Sequence, residues 1–190
     1  MMKRLLPSLP EDARLGDVFQ AYPAAIAPLL EYHDRILRAE GPLTPGQCEL
    51  IAAYVSGLNA CDFCHGAHVA MARAFGIDPD VIDALMADPD TAPVEPAMRP
   101  LLAYAAKLTR DPTRLVEADA EAVYDAGWTE AALFHAIQVA ALFNMMNRIL
   151  EGTGITEYYA DPRKVDADRL AELSKPDFYS GLGRTLGLPG

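Results

Sequence analysis

Basic residues are scarce in this chain: Lys and Arg number 16 against 27 Asp and Glu among 190 residues, giving a formal net charge of −11. A protein this acidic repels nucleic-acid phosphates and anionic lipid headgroups, so we expect neither nucleic acid nor membrane as a partner. Long apolar runs are missing too. The longest, 131–146, is interrupted by His135, Gln138 and Asn144 and is shorter than the roughly 20 residues of a membrane helix.

A secretory leader is also lacking at the N-terminus. Lys3 and Arg4 are followed only by Leu5 and Leu6 before Pro7, which is too short for the apolar segment of a signal peptide. We therefore expect a cytoplasmic protein.

Cysteine is rare, with only Cys48, Cys61 and Cys64 in the whole chain. Three cysteines are too few for a disulfide scaffold of this length. In a reducing compartment a close pair of cysteines indicates catalysis or metal binding more often than structural cross-linking.

Alternating β-type patterns are absent, whereas helical periodicity with abundant Ala and Leu runs through most of the chain. We therefore predict an all-α fold, formed by a single domain over 1–190 with an N-terminal arm at 1–20 and a C-terminal tail at 174–190 that wraps the core or a neighbour. The predicted helices cover about 23–39, 44–57, 61–75, 78–87, 97–110, 117–126, 129–151 and 166–173.

The chemically informative segment is 61–68, at the predicted start of a helix. At about 100° per residue, Cys61, Cys64 and His68 fall on one helical face. Cysteines three residues apart on a helix are close enough to form a disulfide. The helix N-terminus favours thiolate over thiol, so this location promotes reactivity.

A thiol peroxidase needs a thiolate, a proton donor for the leaving oxygen and a second thiol that resolves the sulfenic acid. The segment supplies these groups together with Glu49 on the preceding helix. His68 can activate Cys64, Glu49 can orient His68 or relay its proton, and Cys61 can close the disulfide.

Glu49, Cys61, Cys64 and His68 at these spacings resemble the alkyl hydroperoxidase D (AhpD-like) family within the carboxymuconolactone decarboxylase superfamily. The segments 142–149 and 175–180 are similar to the peroxidase-related branch of that family. The resemblance is strong over about 43–75 and looser elsewhere.

This resemblance implies an AhpD-like helical bundle in which Cys64 is the peroxidatic cysteine, Cys61 the resolving cysteine and proton donor, and Glu49 with His68 the proton relay. It implies reduction of an organic hydroperoxide or hydrogen peroxide, without metal or cofactor. A lipoylated or thioredoxin-like protein would serve as dithiol reductant. It also implies a homo-oligomer, a trimer or a hexamer.

The chain departs from the family at Phe63, where the best-known members have a histidine of the relay directly before the second cysteine. His65 is a possible accessory residue, although it lies about 100° round the helix from Cys64. His135, on the long helix, is a second possible accessory residue.

Other interpretations remain open. Cys61, Cys64 and His65 form the spacing of a c-type haem attachment site, and Cys61, Cys64, His68 and Glu49 are permissible zinc ligands. The two cysteines could also pack as small hydrophobic residues, as we expect for Cys48. Alternative functions are a carboxymuconolactone decarboxylase-like enzyme or a non-catalytic oligomer that senses redox state through the cysteine pair.

Overall fold

The structure, a computed structural model, describes residues 5–156 and 160–188. Within these ranges the chain is all-α, with ten α-helices and no strand, as the sequence predicts. The helices are Leu15–Ala21 (α1), Ile26–Leu37 (α2), Pro45–Leu58 (α3), Asp62–Ala74 (α4), Pro79–Ala87 (α5), Met98–Arg110 (α6), Glu117–Asp125 (α7), Glu130–Thr153 (α8), Ala167–Leu173 (α9) and Phe178–Thr185 (α10).

Local capping chemistry sets several of these helix starts. Thr44 and Gln47 form a reciprocal capping box at the start of α3, and the side chain of Asp78 accepts from the backbone of the first turn of α5. Thr129 and Asp166 cap α8 and α9 in the same way. The helix bounds from α3 to α9 therefore agree with the sequence prediction within about three residues.

Helix α3 is the centre of the fold. Its residues 48–56 are all buried, and α4, α5, α6 and α8 pack around it. A helix buried on every side cannot show the one-sided polarity of a surface helix, which explains why its sequence is apolar almost throughout. Any charged residue on α3 within this stretch must find its partners inside the protein.

Polar side chains on α8 join this centre. The amide nitrogen of Asn59 donates to Asn147 at 2.8 Å and to Asn144 at 3.2 Å, and Asn147 donates to the hydroxyl of Ser56 at 3.1 Å. Asn144 also donates to Thr109 on α6 at 3.0 Å. This network ties the end of α3 to α8 and α6.

A short helix lies near each end of the described chain, α1 and α10. Helix α10 packs against α2, where the carboxylate of Asp34 accepts from the backbone N–H groups of Tyr179 and Ser180 at 2.9 and 2.8 Å. Gln20 on α1 donates to the Leu186 carbonyl just after α10. Residues 1–4 of the predicted arm and 189–190 of the predicted tail lie outside the described residues.

No helix in the described ranges is both long enough and apolar enough to cross a membrane.

Candidate active site

The predicted site residues come from two adjacent helices. Glu49 lies on the first half of α3, Cys61 is the N-cap of α4, and Cys64 and His68 follow on the first two turns of α4. All four are buried. The α3–α4 hairpin thus brings together the carboxylate, the imidazole and the two thiols that the sequence singled out.

A tight turn places the dithiol against α3. Ala60 adopts a left-handed conformation with φ of 52°, which is unfavourable for a residue with a side chain, and the N–H of Cys61 donates to the Ser56 carbonyl at 3.0 Å. Asn147 holds the same turn from α8 through Ser56 and Asn59. The position of Cys61 is therefore fixed from both sides.

Glu49 is at the centre of a buried charge cluster. Its carboxylate accepts from Nη1 of Arg38 at 2.5 Å and, through the other oxygen, from Nδ1 of His68 at 2.5 Å. Burial strongly opposes its ionisation, but the charges and hydrogen bonds of His68 and Arg38 outweigh burial and hold the pKa of Glu49 below its usual value. Since Nδ1 of His68 is engaged by Glu49, Nε2 is the ring nitrogen left for chemistry.

Arg38 connects this cluster to the C-terminal part of the chain. Its Nη2 donates to the Leu173 carbonyl at 3.2 Å, and its guanidinium lies over the rings of Phe75 and Tyr179 at 4.9 and 5.4 Å. Its Nε, by contrast, is buried without a hydrogen-bond partner. The arginine is held mainly by Glu49, the two rings and the carbonyls of Leu37 and Leu173.

Cys61 and Cys64 are free thiols that interact with each other. The hydrogen bond from the Cys64 thiol lowers the pKa of Cys61 despite its burial, whereas the same interaction, together with burial, raises the pKa of Cys64. A single negative charge on the pair is therefore carried by Cys61, at the N-terminus of α4. Asn147 and Glu151 of α8 also face this pair.

An apolar pocket of about 170 Å³ opens onto the site. Cys64 and His68 line it from α4, and α8 contributes Phe143 and Met146. The opposite wall comes from α1, α2, α9 and α10, with Tyr179 among its side chains. Cys61 is not part of the lining, so Cys64 is the one thiol of the pair that contacts the pocket.

The two accessory histidines lie elsewhere. Nδ1 of His65 bonds to the Ala53 carbonyl at 2.9 Å, which turns this ring toward α3. Nε2 of His135 bonds to the Ile36 carbonyl at 2.7 Å and lies 3.7 Å from the sulfur of Cys48. Neither histidine lines the pocket. Cys48 is buried in the core, where desolvation raises its pKa to about 12.

Phe63, at the position where the AhpD-like family that the sequence resembles has a histidine, lines the pocket. The described residues contain no group of three or more His, Cys, Asp or Glu side chains arranged to hold a metal ion.

Sequence reasoning missed Arg38, Tyr179 and the α8 residues Asn147 and Glu151 as neighbours of the reactive groups. Arg38 follows the last residue of α2, a position where a cation usually reaches solvent. The one sequence feature that could have indicated a buried cation is Glu49, an acidic residue in an apolar helix that needs a partner of opposite charge. Tyr179 lies 130 positions after Glu49, and no local pattern predicts such a contact.

A sequence model of the carboxymuconolactone decarboxylase family matches residues 23–107. These residues include Glu49, both cysteines of the pair and His68. No curated protein sequence matches the chain.

Several solved structures share the fold. An uncharacterized peroxidase-related protein from Silicibacter sp. TM1040 is 29% identical, with a TM-score of 0.66 over 72% of this chain and 73% of its own. An AhpD-core, peroxidase-related protein from Ralstonia eutropha JMP134 is 27% identical, with a TM-score of 0.71 over 77% and 76%. A protein of unknown function from Agrobacterium tumefaciens, described as a candidate antioxidant defence protein AhpD, has the same fold at 20% identity and a TM-score of 0.66, over 76% of this chain and 97% of its own.

Removing one partner of the buried Arg38–Glu49 ion pair tests how much the pair contributes to the free energy of unfolding. We expect Glu49→Leu to lower the free energy of unfolding by about 3 to 5 kcal/mol, because Arg38 keeps a buried charge without its counterion. The double variant Arg38→Met with Glu49→Leu removes both charges and should recover most of that loss. Urea unfolding measures both; a double variant as unstable as Glu49→Leu would contradict this account.

His33 gives the protein a specific pH dependence. Burial lowers its pKa from 6.5 to about 4, so the folded protein keeps it neutral while the unfolded chain takes up a proton. The contribution of His33 to the free energy of unfolding is therefore fully present above pH 6.5 and is lost as the pH drops toward 4. The loss is about 2 kcal/mol between pH 7 and pH 5. Urea unfolding at both pH values should show a smaller difference for His33→Gln; an equal difference would refute this assignment.

Proposed function

We propose that this chain, whose residues 23–107 match the sequence model of the carboxymuconolactone decarboxylase family, is a thiol-dependent peroxidase that reduces hydroperoxides with the Cys61/Cys64 pair. The solved relatives from Silicibacter and Ralstonia are named as peroxidase-related proteins, which supports an activity of this kind.

One observation carries the proposal. Cys64 and His68 line the same apolar pocket, while Cys61 is outside the lining. A peroxide entering the pocket therefore meets one thiol and one proton donor, and the second thiol remains available to resolve the sulfenic acid. This division of labour is what a peroxidatic and a resolving cysteine require.

In the first step the negative charge of the cysteine pair must move from Cys61 to Cys64. The Cys61 thiolate accepts the proton of Cys64, and the freed sulfur attacks the distal oxygen of the hydroperoxide. An S–O bond forms, the O–O bond breaks, and the alkoxide leaves. A protonated His68, oriented by Glu49, donates from Nε2 to this alkoxide and releases an alcohol.

In the second step the Cys61 thiol attacks the sulfenic acid on Cys64. The S–S bond forms, the S–O bond breaks, and the departing hydroxide takes the proton of Cys61 and leaves as water. Two thiols have then supplied two electrons, and one disulfide, one alcohol and one water are the products. Neutral His68, which lines the pocket together with Cys64, or the Glu151 carboxylate, which interacts with Cys61, can pass this proton.

The decisive experiment is a thiol count by intact mass on reduced, chelator-treated protein before and after one equivalent of organic hydroperoxide. Three free thiols should fall to one, the deeply buried Cys48. Cys64→Ser should abolish rapid peroxide loss, and Cys61→Ser should stop at a sulfenic acid that dimedone traps.

Cys48→Ser is the matched control and should react like the unmodified protein. A count that stays at three would overturn the peroxidase proposal and favour a decarboxylase, which turnover of a muconolactone would detect. Oxidation without turnover in the presence of dithiol, together with a change of oligomer size, would instead favour the redox-sensing oligomer.

The reductant must reach a buried disulfide. Cys61 is fully buried and Cys64 is 4% exposed, so the pocket is the route to the pair. A slender dithiol on a lipoyl arm fits such a route better than the broad surface of a thioredoxin-like protein. We expect dihydrolipoamide to restore the thiols of the oxidised protein in stopped-flow or mass measurements, and equal restoration by a thioredoxin-like protein would contradict this preference.

A further inference from the structure

The mouth of the pocket carries a cation. Arg169 on α9 is the one Arg, Lys, Asp or Glu among the described residues that line the pocket. Its guanidinium lies 5.7 Å from the centre of the Phe178 ring, which belongs to the lining as well. A positive group at the entrance of an apolar cavity is unexpected in a protein with a net charge of −11.

The pocket continues into a groove between α9 and α10. Arg169, Phe178 and Leu182 line both the pocket and this groove, whose volume is about 660 Å³. The charged residues of the groove are three cations and two carboxylates: Arg169, Lys175, Arg184, Glu172 and Asp177. The groove is thus positive while the protein as a whole is strongly negative.

Two of these cations, Arg169 and Lys175, can bind a ligand. Nη1 of Arg169 donates to Glu172 at 2.9 Å, while its Nε and Nη2 bond to no group in the described part of the chain. Arg184 is paired with Asp177, and Lys175 forms no ion pair with any described residue. The Arg169 pair is about half exposed on both sides, so it is weak and exchanges readily for another carboxylate.

We infer that the substrate is a hydroperoxide of an amphiphilic acid, with its hydrocarbon chain in the apolar pocket, its hydroperoxide at Cys64 and His68, and its carboxylate on Arg169 and Lys175 at the mouth. This inference rests on the proposed peroxidase function and specifies its substrate class. A guanidinium presents a planar pair of donors that matches a carboxylate, and the apolar walls favour a hydrocarbon over hydrogen peroxide. The products are the hydroxy acid, water and the Cys61–Cys64 disulfide.

A matched pair of oxidants tests the inference without any reductant present. Linoleic acid hydroperoxide and its methyl ester, both below their critical micelle concentrations, differ only in the charge at the mouth. We expect the acid to oxidise the reduced protein about fivefold faster in single-turnover thiol-loss measurements, with an advantage that shrinks as salt is added.

Three variants separate this site from a general charge effect. Arg169→Gln should remove the advantage of the acid over the ester by slowing the reaction of the acid. Arg163→Gln, which changes an exposed arginine paired with Asp80 outside both cavities, should retain it. Glu172→Gln frees Arg169 from its ion pair and should increase the advantage. Equal rates for acid and ester in the unmodified protein would overturn the carboxylate site.

A binding measurement keeps this test independent of turnover. The unreactive hydroxy acid should bind by isothermal titration more tightly than its methyl ester, and Arg169→Gln should abolish the difference. If neither peroxide removed thiols but the hydroxy acid bound in this way, the peroxidase function would fail and the carboxylate site would stand. Equal binding of acid and ester would refute the site whatever the peroxides do.

Discussion

The contact between Arg38, Glu49 and His68 is the interaction on which the rest of the site depends. Glu49 lies on a helix that is buried on every side, so its charge is tolerable only because a guanidinium neutralises it and an imidazole hydrogen-bonds to it. The same contact joins α2, α3 and α4, and through Arg38 it reaches the carbonyl of Leu173 at the end of α9. The groups that position the imidazole for proton transfer therefore also hold the helices together.

Much of the fold was predictable because its signals are local. Thr44 with Gln47, and the caps Asp78 and Thr129, define helix starts through side chains within three residues of the backbone they bind. The N- and C-terminal helices α1 and α10 were not predicted as helices. Helix α10 has only eight residues, and its N-terminus is satisfied by Asp34 from α2, a contact that its own sequence does not encode.

The candidate site also combines residues that local sequence predicts with residues that only packing brings together. The spacing of Cys61, Cys64 and His68 along one helix is local, and the structure keeps them on the first turns of α4. Arg38 and Tyr179 are brought to the site by packing between distant parts of the chain. The direction of the thiol pKa values also depends on packing, because the charge on Cys61 follows from its interaction with Cys64 and from its place at a helix N-terminus. The catalytic assignments of all four residues remain predictions.

The residues that form the pocket wall facing the dithiol come late in the chain, and this order has a consequence during synthesis of the protein. Cys64 and His68 lie on α4, whereas Leu173 and Tyr179, which close the opposite side, come more than a hundred residues later in the chain. Since a ribosome delivers residues in order, at about 5 to 20 per second, the hairpin that carries the thiols emerges seconds before its cover exists. During that interval the reactive pair of a nascent chain is shielded only by whatever binds it in the cell.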